Sequence, residues 1–131
     1  MKSDWQEIGL AWLRILVGIG ATTHGFGKIF GGQMDGFALM VGQLGFPLPF
    51  VFAWAAALSE FLGGICLIMG IGTRLAAGFV FFTMSVALFL HHRRDTFHMK
   101  ELAYLYWTTT GALVMLGSGR YSLARLLTKR R

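Results

Sequence analysis

The 131-residue chain is poor in cysteine, proline and acidic residues, with one, two and six respectively. The lone thiol, Cys66, cannot close an intrachain disulfide, and no C-x-x-C pair exists for redox or zinc chemistry. Both prolines sit in one corner, Pro47–Leu48–Pro49, so none breaks the long apolar runs. No H-x-x-x-H or E-x-x-H spacing occurs, so no metal set is read. Haem-attachment motifs and hydrolase-type nucleophile–base arrangements are missing too. The run "GIGATTHGFGKIFGG" has a Gly–Lys pair but lies in an apolar segment, without the strand–loop–helix setting of a phosphate loop.

Charge is also scarce. Charged residues make up 14% and hydrophobic ones 55%, with a mean hydropathy of +0.59. A soluble domain of this size needs a more polar surface, so the composition points to an integral membrane protein with a single domain, 1–131. Four segments, 8–29, 49–70, 75–92 and 102–118, have the roughly 17–22 residues that a helix needs to cross hydrocarbon. The expected fold is all-α: four transmembrane helices in an antiparallel bundle. The first segment is not read as a cleaved signal peptide, because Arg14 interrupts its apolar core. Phe37, Met40, Val41 and Leu44 fall at helical spacing, which predicts a short interfacial or re-entrant helix between spans one and two. Pro49 suits the first turn of span two. The methionines are scattered and read as packing.

The net charge of +6 is not a nucleic-acid signature, because five of the twelve basic residues sit in the tail 119–131, "GRYSLARLLTKRR". With Leu123, Leu126 and Leu127 as an apolar side, this tail reads as a segment lying on anionic lipid or as a solvated topogenic tail. Seven basic residues flank the spans on the side of the termini and four on the other. That imbalance places both termini in the cytoplasm.

Several ionisable residues lie within the spans. On a helix, Lys28 falls about −40° and His24 about −80° from Arg14, on an arc shared with Gly18, Ala21 and Gly25. Ala53, Ala56, Ala57, Gly63 and Gly64 surround Glu60 in the same way. Gly78, Ser85 and His92 recur in span three, with His91 beside them, and Glu101, Tyr104 and Thr108 in span four. Small residues mark close helix approach, and ionisable groups face protein rather than lipid. An Arg14–Glu60 ion pair is therefore expected; the alternative is a protonated Glu60. His24, Lys28, His91, His92, Glu101 and Tyr104 form a second layer nearer one end. This layer suits a quinone carbonyl, a proton relay or a metal held between helices. Plainer readings stand beside it: a snorkelling Lys28, and His91–His92 ending a span at the headgroups.

Three ordered blocks carry a resemblance. "LAWLRILVGIGATTHGFGKIFGG", "AWAAALSEFLGGICLIMGIGTRLAA" and "LHHRRDTFHMKELAYLYWTTTGALVMLGSGRYSLARLL" are similar to the DoxX family and cover nearly the whole chain. The chain departs from that pattern at Ala124, where family members commonly have aspartate. The resemblance implies a four-helix protein of the bacterial inner membrane, in some members linked to quinone-dependent oxidation or to soluble redox enzymes. It maps onto Arg14, Lys28, Glu60, Arg74, His91 or His92, and Glu101.

Three functions fit these residues. In the first, the bundle holds a small hydrophobic ligand such as a quinone: Arg14, His24, Lys28, His91, His92 and Tyr104 bind it, and Glu60 or Glu101 exchanges protons. Electrons would come from a bound cofactor or a partner. In the second, the chain is an anchor or assembly subunit for a redox protein. In the third, it is a small proton or solute transporter, which four short helices would form only as a homo-oligomer.

Overall fold

The computed structural model describes residues 2–130, which form helices with no strand among them. The order is α1 (Asp4–Phe30), α2 (Met34–Gln43), α3 (Pro49–Met69), α4 (Thr73–Val86), a π-helical turn (Ala87–His91), α5 (Phe97–Leu116) and α6 (Leu123–Lys129). α1 opens on a reciprocal cap in which the Ser3 hydroxyl accepts from Gln6 N and the Gln6 side chain accepts from Ser3 N. α2 occupies the connection where a short helix is expected. Pro49 opens α3, where its missing N–H costs no helical bond. Gly70, at φ 72°, closes α3 with a left-handed cap. The π turn extends α4 by one loosened turn, with His92 N donating to Ala87 O at 2.9 Å.

Two helices, α3 and α4 with its π turn, are long and apolar enough to cross a membrane. α1 and α5 have 27 and 20 residues. Their hydropathy is lowered by Arg14, His24 and Lys28 in α1, and by Lys100, Glu101 and three threonines in α5.

α3 is central, packing along α1 on one side and α4 on another, with α2 across its first half. α5 lies on α4, and α1 and α5 touch only sparsely, so the ring of four long helices closes loosely at that seam. Ala21 of α1 joins Val80 and Met84 of α4 and Ala103 of α5 in the central core. A second cluster, around Leu67 and Leu113, fills the end near α6, and a third, around Ala53 and Ala57, fills the end near α2.

The α1–α3 contact depends on glycine. A Cβ on Gly18 would lie 2.7 Å from Gly64 O, and one on Gly25 would lie 2.5 Å from Phe61 N. Backbone cannot yield as a flexible side chain does, so only glycine permits this approach. Gly25→Leu is expected to cost about 1–3 kcal/mol by overpacking, read as a lowered thermal midpoint in detergent. Gly36→Ala in α2, with nothing within 4 Å of its Cβ, leaves the midpoint unchanged or slightly raised.

Candidate functional site

The glycine contacts set the α1–α3 register. Gly18 lies level with Gly64–Ile68, and Gly25 with Ala57–Phe61. Glu60 therefore stands level with His24, with Lys28 one turn further towards α2. Side chains on a helix lean towards its N-terminus. α1 and α3 are antiparallel, so Lys28 leans back and Glu60 leans towards it. The Lys28 ammonium meets the carboxylate at 2.9 Å to Oε1 and 2.6 Å to Oε2. Glu60 is 2% exposed and the Lys28 side chain 19%. Lys28 Nζ also lies 4.4 Å from the ring centre of Phe37 on α2, an electrostatically favourable contact.

The same leaning separates Arg14 from Glu60, so the expected Arg14–Glu60 pair does not form. Arg14 leans the other way, towards α6, and is 1% exposed. Its Nη1 donates to Leu67 O at 2.6 Å and Ile68 O at 3.0 Å, and its Nη2 to Tyr121 O at 2.6 Å. Leu67 and Ile68 belong to the last turn of α3, whose carbonyls have no helical partner and carry the negative end of the helix dipole. Arg14 is thus a C-terminal cap for α3 and a tie to the segment before α6. Its positive charge is met by backbone dipoles rather than by a carboxylate.

His24 does not face an enclosed interior. It is exposed, at the α1–α5 seam, with its ring edge-on to Tyr106 at 5.7 Å. Tyr106 is half-buried, and its hydroxyl lies against Gly20, where a Cβ would overlap it. Its hydroxyl donates to no described residue; its main-chain oxygen accepts from the Thr109 and Thr110 hydroxyls. The sequence reading missed Tyr106 because it set the inward stripe of α5 at Glu101, Tyr104 and Thr108. The buried stripe is Ala103, Thr110 and Leu113, with Tyr106 between them. Spacing of 3, 4 and 3 residues is the available signal, but polar and apolar residues are mixed round α5, so a single face does not stand out. Next to Tyr106, Trp107 Nε1 donates to Ser85 Oγ at 3.0 Å and stacks on Phe81.

The remaining expected site residues lie elsewhere. His91 is exposed beyond α4, with its ring 4.5 Å from that of His92, and His92 Nδ1 pairs with Asp95 Oδ2 at 2.7 Å. Glu101 and Tyr104 are exposed on α5, with Tyr104 packed against Phe97. None of these four bonds to the Lys28–Glu60 pair. The structure thus divides the single expected layer into a buried pair with His24 and Tyr106 at the seam, and an exposed group around the α4–α5 turn.

Comparison with known proteins gives consistent matches. Residues 9–93 match the DoxX family model. Over 130 residues the chain is 32% identical to inner membrane protein YqjF of Escherichia coli K12, covering 95% of this chain and 96% of that one. It is 31% identical to the protein named "Putative oxidoreductase CatD" of Bacillus subtilis 168, covering 86% and 81%. Inner membrane protein YphA of E. coli K12 is 32% identical over 77% of this chain and 62% of its own length. No solved structure gives a significant match.

Proposed function

Since the chain belongs to the DoxX family, we propose that it is a multi-pass protein of the bacterial inner membrane whose α1–α5 seam holds a small hydrophobic redox ligand, a quinone. The carrying observation is the buried Lys28–Glu60 pair between α1 and α3, level with the His24–Tyr106 contact at the loosely closed α1–α5 seam. The whole chain acts as one domain. α1, α3, α4 with its π turn, and α5 are the four spans, α2 lies at the interface, and both termini face the cytoplasm. The apolar residues exposed along these helices, among them Trp12, Leu62, Phe79, Phe82 and Leu105, fit lipid contact.

A quinone entering from the bilayer would meet the His24 ring and the Tyr106 hydroxyl as hydrogen-bonding groups. Glu60 exchanges the protons that accompany reduction, with Lys28 setting its charge. The name of the B. subtilis relative supports a redox role. Electrons come from a partner or bound cofactor, because the sequence carries no redox group of its own. In this reading His91, His92, Glu101 and Tyr104 belong to the mouth at the α2 end and contribute less.

The test is quinone retention in nanodiscs, followed by mass spectrometry of the purified protein. One quinone per chain is expected, falling about tenfold in His24→Ala and Tyr106→Phe, the loss of one good hydrogen bond or slightly more. Tyr104→Phe retains it. A folded, quinone-free protein that takes up none on addition overturns the reading.

A further inference from the structure

A second polar site lies at the opposite end of the bundle, independent of the Lys28–Glu60 pair. α4 begins without a cap: its N-cap is Gly72, at φ 55°, with no side chain to accept from the first turn. Ala76 N donates to Gly72 O at 2.9 Å, and the amides of Thr73, Arg74 and Leu75 have no partner among the described residues. Three aligned N–H groups and the positive end of the helix dipole attract an anion.

The side chains around this end add to the attraction. Thr73 is 3% exposed, and its Oγ1 is buried with no hydrogen-bond partner. A buried hydroxyl left unsatisfied is costly and calls for a ligand or a water. Thr73 lines an open cleft of about 690 Å³ together with Lys2, Arg74 and Arg125. The Arg74 guanidinium rests over Gly117, with Nε 3.2 Å from where a Cβ would lie, and only Nη2 reaches a carbonyl, that of Met115 at 3.4 Å. Most of its fork is therefore free to take oxygens in pairs. Glu7 is the one acidic residue of the cleft. Its Oε2 accepts from Arg120 N at 2.7 Å, which ties it to the wall. Three cations against one engaged carboxylate leave the cleft positive.

We propose that this cleft binds a phosphate group, held by the α4 N-terminus and Thr73 and clamped by Arg74, Lys2 and Arg125. Two sources share that chemistry: the headgroup of an acidic phospholipid and free phosphate. The adjoining α6, with exposed Leu126 and Leu127 beside Arg125, lies as a lipid-facing segment would.

The full-length protein in detergent is tested with three probes by native mass spectrometry and titration: phosphatidylglycerol, phosphate-free diacylglycerol, and inorganic phosphate. The expected result is retention of phosphatidylglycerol over diacylglycerol, reduced at least tenfold in Thr73→Val and in Arg74→Gln. Arg94→Gln, on the α4–α5 turn, binds as wild type. Two single variants guard against one failing to fold. Binding of inorganic phosphate alone, lost in the same variants, supports the site with the free anion as its ligand. Equal retention by wild type and both variants, or binding of none of the probes, overturns it.

Discussion

Arg14→Met will destabilise the protein by about 3–5 kcal/mol. The change removes three hydrogen bonds from a buried cation to carbonyls of Leu67, Ile68 and Tyr121. The first two then end a helix with no partner, in an apolar setting where an unmet carbonyl is expensive. Arg14→Lys should recover less than half of the loss. A single ammonium keeps the charge but cannot span both α3 and the α5–α6 segment as a planar guanidinium does. The reporter is already in place: Cys66 is the one thiol of the chain and packs in the core cluster at this end. Its labelling rate in detergent during a thermal ramp reads the midpoint directly. Similar midpoints for wild type and Arg14→Met would mean that the clamp contributes nothing.

The second large effect is a non-additive one. Lys28→Met alone leaves the Glu60 carboxylate, 2% exposed, without its cation, at a cost of about 3–5 kcal/mol. Glu60→Met alone strands an ammonium that can still turn towards Phe37 and the surface, so the cost is smaller, about 1–2 kcal/mol. The double variant is expected within about 1 kcal/mol of wild type, because a buried ion pair roughly breaks even against apolar residues of similar size. Thermal midpoints of the four proteins give the coupling energy. The double variant also divides the two roles of the pair. It should be as stable as wild type and retain no quinone; full retention would reduce Lys28 and Glu60 to a structural pair.

Much of the framework was legible from residue patterns. Pro49 and Gly70 bound α3 where the sequence places span two, and the apolar positions between residues 37 and 44 announce α2. Gly18 and Gly25 mark the face of α1 that meets α3, since positions without side chains serve close approach. The partner of Arg14 was not legible. Pairing charges by type offers only Glu60, whereas the real acceptors are backbone carbonyls, which every residue carries. The choice between Lys28 and Arg14 as partner of Glu60 rests on which way side chains lean on antiparallel helices, a geometric fact that residue counts omit. The buried face of α5 lies about half a turn from the expected stripe, because polar and apolar residues are mixed round its circumference and no face declares itself. The π turn at Ala87–His91 has no sequence signature and carries His91 out to the surface.

The Arg14–Tyr121 bond joins residues 107 positions apart. On a ribosome, α1 is made first and must wait for almost all the remaining helices before its guanidinium meets its last acceptor. An unfinished chain thus holds the Arg14 cation one acceptor short of its three until synthesis reaches Tyr121. A product truncated before Tyr121 lacks the contact that completes the clamp.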